Sequence, residues 1–394
     1  MKERTETILN GIYTAACTAA FEEDISLYGG LSGIVLFRFA YLKYLANTGN
    51  KYNTDTLPVQ ELAEYAIAPT SDPAFATGRA GISWLFTHLY RNDLLSQEDR
   101  DLLCADDAEL ETAALQLLQR GNYDFIHGAI GIGYYFLYAG GYSEAFFPSF
   151  LHLLNGLIVT STDKAMIPAF SPRENRPSPN VVNLGLSHGI SSILKFCLQC
   201  CKQQVCPSEA GQLAQNIAAY LVTHMNVDRT HNYFPNKIPD GRQTGEFSRL
   251  AWCYGDAGIA YTLFRCGLMF DHRQLSELAL SILEHTTTRR SEDLTQVKDA
   301  GLCHGSAGLA HIYNKLWHAT QKTAFREAGD FWIKKTLDLA VATDGGIIYR
   351  KFNAGIDRFE DCPSLLEGAA GIGLALLSHL TGDFDWDYCI LLND

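Results

Sequence analysis

The sequence has no surplus of positive charge. Its 31 Lys and Arg stand against 44 Asp and Glu, a formal charge of −13 over 394 residues. That balance argues against the basic stripe with which a nucleic-acid-binding protein meets phosphates. It also disfavours simple electrostatic docking on an anionic membrane. No uninterrupted apolar run approaches the roughly 18 residues of a membrane-spanning helix. The first residues, Met1-Lys2-Glu3-Arg4-Thr5-Glu6, have no apolar signal segment behind them. The expectation is a cytoplasmic protein whose eleven cysteines, an odd number, are reduced thiols. In that setting a cysteine is buried filler, a metal ligand or a nucleophile. Charged residues are few, at 19%, and hydrophobic residues make up 47%, which excludes general disorder. The length suits two or three ordinary domains or one large closed architecture.

Against these absences stands an internal repeat. A glycine, two variable residues, usually a second glycine and then an apolar run occur seven times. The copies are Gly30-Leu31-Ser32-Gly33, Gly78-Arg79-Ala80-Gly81, Gly128-Ala129-Ile130-Gly131, Gly189-Ile190-Ser191-Ser192, Gly255-Asp256-Ala257-Gly258, Gly305-Ser306-Ala307-Gly308 and Gly368-Ala369-Ala370-Gly371. Their first glycines lie 48, 50, 61, 66, 50 and 63 residues apart. The run after each motif is apolar round most of a helical circumference, as in Ile34 to Leu42, and predicts a buried inner helix. Amphipathic stretches between motifs, such as Asp106 to Leu118 with Leu110, Ala113, Ala114 and Leu117 on one side, predict outer helices. The spacing accommodates one such pair and its connections.

Helix pairs bury their apolar faces by stacking. The seventh copy still opens a buried-type helix rather than a polar cap, so the expected fold is all-α: a closed, double-layered (α/α)7 toroid formed by residues 1–394 as a single domain. Three connections, Thr160 to Asn180, Asp228 to Glu246 and Asp344 to Cys362, break the helical pattern with Gly, Asn, Asp or Pro. They are expected to be loops or short β-hairpins over one mouth of the ring.

The chemistry lies just before the glycines. One residue upstream stand Thr77, His127, His188, Tyr254, His304 and Glu367; two upstream stand Ile126, Ser187, Cys253, Cys303 and Leu366. In a ring of equivalent helices these positions converge. Cys253, Cys303 and His304 form a common zinc ligand set with a fourth position open. Adjacent residues diverge within a helix, so Cys303 and His304 can share a metal only in the turn before it. The bland alternative for each is a small buried thiol or a hydrogen-bonded core histidine; three ligand types in one register favour zinc. Cys197, Cys200, Cys201 and Cys206 lack a partner pair at zinc-ribbon spacing and read as buried filler, as do Cys17, Cys104, Cys266, Cys362 and Cys389. Asp124, four before Gly128, and Arg249, six before Gly255, would individually pass for a cap or a surface charge.

Trp252-Cys253-Tyr254-Gly255, Cys303-His304-Gly305, Gly185-Leu186-Ser187-His188-Gly189, Leu366-Glu367-Gly368 and Tyr123-Asp124-Phe125-Ile126 together resemble the LanC family, the lanthionine synthetase C-like cyclases of lanthipeptide biosynthesis. The resemblance runs from the first Gly motif to the last. It implies an (α/α)7 toroid with zinc held by Cys253, Cys303 and His304, and it places His188, Asp124, Arg249 and Tyr254 around the reaction. Two local departures are Ser191-Ser192 after His188-Gly189-Ile190, and His127 after Ile126.

The family reaction adds a peptide Cys thiol to dehydroalanine or dehydrobutyrine, giving a (methyl)lanthionine thioether. A zinc ion suits it, because coordination deprotonates a thiol outright. Attack leaves an enolate that needs a proton, for which His188 is the candidate acid. Arg249 would stabilise the enolate or hold a carboxylate, Asp124 would orient His188 or polarise zinc-bound water, and Tyr254 would donate a hydrogen bond near the metal. The implied partner is a dehydrated lanthipeptide precursor, leader plus core. A dehydratase and an export transporter in a membrane-associated complex are candidate further partners. Two alternatives share the sequence features: a LanC-like enzyme adding glutathione or protein thiols to dehydroamino acids, and a non-catalytic binding module with structural zinc. A glycosidase in a similar α/α barrel is disfavoured, because Cys and His stand where a carboxylate pair is needed.

Overall fold

The computed structural model describes residues 1–18, 24–49, 72–104, 107–161, 164–171, 174–239 and 245–394. Seven helices begin one residue after the first glycine of the seven motifs: Leu31–Asn47, Arg79–Arg91, Ala129–Ala139, Ile190–Lys202, Asp256–Met269, Ser306–Thr320 and Ala369–Thr381. Each glycine is the N-cap. The reason is a close approach of backbone. A Cβ on Gly30 would run into the carbonyl oxygen of Asp24, six residues back. That same oxygen accepts the N–H of the first helical residue, Leu31, at 2.9 Å. The pair Asp72 and Arg79 repeats this at 2.9 Å. A methyl group at the cap would therefore force apart the hydrogen bond that closes the turn.

The inner helices are buried almost all round. Ile190–Lys202 buries every residue from Ile190 to Cys201. The expected outer helix Asp107–Gln119 buries only Leu110, Ala114 and Leu118, a single i, i+4, i+8 stripe. Asp106 lies outside the described residues, and Leu118 rather than Leu117 ends the buried stripe.

The chain divides into two compact units. One comprises residues 1–69, 250–252 and 287–393. In it the last inner helix packs on the first, with Gly373 against the Phe37 ring. The Leu366 N–H donates to the Tyr28 carbonyl at 3.2 Å, so the turn of the seventh motif bonds the turn of the first. The helix Lys2–Thr18 packs against Ala369–Thr381 and gives the last inner helix its outer partner. Two short antiparallel ribbons follow: Val341–Thr343 with Gly346–Ile348, and Arg350–Asn353 with Arg358–Asp361.

The other unit comprises residues 70–249, 253–286 and 394. Its inner helices pack in chain order, and Ile190–Lys202 and Asp256–Met269 are each covered by the helix that follows, Pro207–Thr223 and Arg273–Thr286. Three antiparallel strand pairs lie here. Val159–Ser161 with Lys164–Met166 and Ala169–Ser171 with Arg176–Ser178 are local hairpins, as expected. Lys237–Pro239 instead pairs with Val181–Asn183, joining the connection Asp228 to Glu246 to residues just past the end of the connection expected at Asn180.

Gly371 tests how tightly the turns are closed. A Cβ there would strike the Leu365 carbonyl oxygen. Gly371→Ala is expected to cost about 1–3 kcal/mol, measured as a lower urea midpoint with unchanged slope. An unaltered midpoint would show that the close approach is not needed.

Candidate active site

Each inner helix is entered through a seven-residue turn, and in five of these an Asp or Asn six residues before the glycine closes the turn with its side chain. Asp24 accepts the Ser26 N–H at 2.8 Å, Asp72 the Ala74 N–H at 2.9 Å, Asn122 the Asp124 N–H at 3.3 Å, Asn183 the Gly185 N–H at 3.0 Å and Asp299 the Gly301 N–H at 3.1 Å. These Asx turns fix the loop locally. The sequence reading missed them, although the constant spacing from the glycine is a legible signal.

Arg249 occupies this position in the fifth repeat. Gly255 there takes a left-handed φ of 81°, which favours glycine. The turn is braced instead by Asp256, whose carboxylate is fully buried and accepts the N–H groups of Tyr233 and Phe234 at 2.9–3.1 Å. Among the described residues the half-buried Arg249 guanidinium has no ion-pair or hydrogen-bond partner. A residue type out of keeping with a structural position, with its charge uncommitted, is available for an anionic ligand.

Asp124 and His188 are brought together. Asp124 Oδ2 lies 2.7 Å from His188 Nδ1, with the two side chains 5% and 32% exposed. Asp124 Oδ1 accepts the N–H groups of Ile126 and His127, both at 2.8 Å. The carboxylate therefore holds its own turn with one oxygen and aims the imidazole with the other. Burial by itself lowers the His188 pKa. The hydrogen bond and charge of Asp124, helped by Cys253, outweigh it and raise the pKa above the ordinary value. The pairing assigns the Nδ1 proton to the Asp124 side and leaves Nε2 for proton exchange.

Tyr254 and His127 flank this dyad, their ring centroids each 6.3 Å from His188. The Tyr254 hydroxyl accepts from Asn183 Nδ2 at 3.1 Å. Asn183 is thus a site residue that the sequence reading did not single out. Gly185 is needed beneath Tyr254, since a Cβ would come within 2.7 Å of its ring. The Cys253 carbonyl accepts the N–H groups of Leu186 and Ser187 at 2.9 and 3.4 Å, tying the cysteine to the histidine turn. The departure at Ser191 and Ser192 is structural: both are fully buried, and their hydroxyls donate to the Leu184 and Gly189 carbonyls.

Cys303 and His304 are half-buried in the turn before Ser306–Thr320. The N–H groups of Leu302 and Cys303 both donate to the Leu366 carbonyl, at 2.9 and 3.1 Å. Cys253, Cys303 and His304 form a group of potential metal ligands, with two thiol sulfurs and an imidazole nitrogen all within 4.8 Å of one another. The donor set fits zinc: two soft thiolates offset the dication, the imidazole is a borderline ligand, and three protein ligands leave one position for another thiol. By contrast, Cys197 and Cys200 are fully buried on their helix, where burial pushes both thiols well up. A raised thiol is a poor metal ligand and a poor nucleophile.

Residues 22–391 match the lanthionine synthetase C-like protein family. The chain belongs to that family. A curated LanC-like relative, the nisin biosynthesis protein NisC of Lactococcus lactis subsp. lactis, is 25% identical over 321 residues, 73% of each chain. The solved structure of a nisin cyclase superposes with a TM-score of 0.72 at 19% identity, covering 99% of this chain and 97% of the other. The fold expected from seven motifs, an (α/α)7 toroid with only short strand pairs, is the fold of this LanC-like chain.

The Asp124–His188 pair has a pH signature. Because its pKa is raised in the folded chain, protonated His188 stabilises the fold below the ordinary histidine value of about 6.5. That contribution is lost as pH rises through the folded value. Asp124→Asn is expected to bring the His188 titration, followed by NMR of the ring protons, down below its wild-type midpoint. An unmoved midpoint would sink the pairing.

Proposed function

We propose that this LanC-like protein is a zinc-dependent lanthipeptide cyclase, adding peptide Cys thiols to dehydroalanine or dehydrobutyrine to close (methyl)lanthionine rings. The observation that carries the reading is the Cys253–Cys303–His304 ligand group in a chain that also holds an Asp124–His188 acid–base pair. Similarity to a protein named for nisin biosynthesis and to a nisin cyclase supports a peptide substrate. In this reading residues 1–394 act as one domain, in keeping with a family match from 22 to 391.

Bound by these three residues, zinc would supply the charge that keeps a peptide thiol deprotonated at neutral pH, where a free thiol with a pKa of about 8.5 is only a few per cent ionised. The chain's own residues do the rest. As the sulfur bonds to the β-carbon, the double-bond electrons move toward the carbonyl and give an enolate. His188 Nε2 delivers the proton to the α-carbon, and the Nδ1 bond to Asp124 stabilises the charged imidazole beforehand. The Arg249 guanidinium stabilises the enolate oxygen or holds a substrate carboxylate. Tyr254, set by Asn183, donates its hydroxyl proton toward the reacting groups. No atoms leave, so the peptide loses a thiol without changing mass.

The substrate is a dehydrated precursor of leader plus core, with a dehydratase and an exporter as the partners that make and remove it. A cytoplasmic location fits that sequence of steps. Among the described residues no helix is long and apolar enough to cross a membrane.

Incubation with a dehydrated peptide, followed by thiol alkylation and mass spectrometry, tests the reading. Wild-type protein should carry about one zinc and protect the peptide thiols from alkylation. Cys303→Ala should lose metal and activity together. His188→Asn should keep zinc while the rate falls by roughly 10²–10⁴. Thiols left open in the peptide, with rapid addition of glutathione to the same dehydroamino acids, would replace peptide cyclisation by glutathione transfer. Full zinc occupancy in Cys253→Ala would remove the ligand assignment.

A further inference from the structure

The turn that carries Cys303 and His304 is held from outside by a strand, through contacts that the reaction does not explain. Asp299 opens this turn. Its Oδ1 closes the Asx turn on Gly301, and its Oδ2 accepts the N–H of Phe352 at 3.0 Å. Phe352 belongs to the ribbon strand Arg350–Asn353, and its ring lies 4.0 Å from the Lys298 ammonium, one residue before Asp299. On the other side, Leu302 and Cys303 donate to the Leu366 carbonyl. A Cβ at Gly301 would touch the Glu367 backbone at 3.0 Å, so the two turns are in van der Waals contact. The third side carries an ion pair: Lys351 Nζ, beside Phe352, lies 3.0 Å from Glu367 Oε2, beside Leu366.

Turn 299–305, strand 350–353 and turn 362–368 are therefore joined pairwise into a closed triangle. All three sides carry backbone hydrogen bonds; between strand and second turn the Cys362 N–H donates to the Tyr349 carbonyl at 2.9 Å, which holds the start of that turn. Its far end, at Glu367, is tied to the strand by the Lys351–Glu367 side chains, each about one-third exposed. An exposed pair of this kind contributes little to global stability. Its leverage is local: it ties down the Glu367 end of the second turn, beside the Leu366 carbonyl that accepts the Leu302 and Cys303 N–H groups, as outer-sphere groups do at metal centres.

We propose that Lys351 and Glu367 are positioning residues for the metal centre, clamping the Cys303–His304 turn so that both ligands are held in place before the metal arrives. This rests on the zinc reading above. The clamp acts by preorganisation, so it raises metal affinity and narrows ligand geometry without touching the metal or the substrate.

The test uses the full-length protein loaded with cobalt(II), alone and in competition with a chromophoric chelator. Wild type should bind one cobalt and show thiolate charge-transfer and tetrahedral d–d bands. Lys351→Met and Glu367→Gln should each weaken binding about tenfold and broaden or shift the d–d bands, with far-UV circular dichroism unchanged. The double variant should be no worse than either single one, because both break the same tie. Lys351→Arg should restore the wild-type spectrum. Affinities within twofold of wild type, with superimposable spectra in both folded single variants, would overturn the clamp and leave the zinc reading standing. A wild-type protein that takes up neither cobalt nor zinc would overturn the zinc reading itself, and the clamp with it.

Discussion

The placement of the candidate site hangs on one hydrogen bond made in five of the seven turns: the first N–H of an inner helix returning to a carbonyl seven residues earlier, as Leu31 does to Asp24 and Ala369 to Cys362. A Cβ on the cap residue would collide with that same carbonyl or its neighbours, so glycine is required at the cap by contact distance in most repeats rather than by an unusual φ. Gly255 alone among the seven caps combines both demands. Because the turn has a fixed length, the residues one and two before the glycine are delivered to the same place each time. The site is built from what those positions carry. Asp124, His188, Tyr254, Cys253, Cys303 and His304 owe their placement to backbone geometry set several residues away.

The repeat also explains how one scaffold can carry unlike chemistry. In most turns the Asx side chain is spent on the backbone. Where it is Asp124's neighbour Asn122 that closes the turn, Asp124 is released to face His188. Where Arg249 replaces the Asx residue, Asp256 takes over the bracing from the helix side. Structural work is thus shifted by a few residues, and the freed positions become available to a ligand. The formal charge of −13 has little bearing on this, since the Asp124–His188 pair is set by local contacts.

Much of this was legible in the sequence, and the reason is periodicity. Glycine spacing located the starts of all seven inner helices to within a few residues, because a cap that tolerates no side chain leaves a clear mark. Counting back from those glycines singled out Cys253, Cys303 and His304 as candidate ligands, which lie together, while Asp124 beside His188 was marked only by the family resemblance. What escaped was non-local. The pairing of Val181–Asn183 with Lys237–Pro239 joins two connections through backbone groups that any sequence could supply. Asn183, set by that pairing and bonded to Tyr254, looks like an ordinary loop asparagine. Lys351 is an unremarkable charge, and its pairing with Glu367 shows only when strand and turn are placed side by side. The outer-helix stripe ended at Leu118 rather than Leu117 because a period of 3.6 leaves neighbouring positions nearly equivalent until packing chooses.

The bond from Leu366 to Tyr28 has a consequence in time. It joins residues 338 positions apart, and the helix Lys2–Thr18, which touches Leu31–Asn47 early in the chain, packs further on Gly346–Ile348 and Ala369–Thr381. A chain made from its N-terminus holds that first helix without these late partners through nearly the whole of synthesis. Closing so long a loop carries an entropic cost and slows folding. Apolar surface on Leu9 and Ile12, buried in the finished protein, stays available to chaperones or to wrong partners until the seventh repeat emerges. Contact between the first and seventh repeats is therefore a late event, and yield in a cell is expected to depend on how that interval is protected.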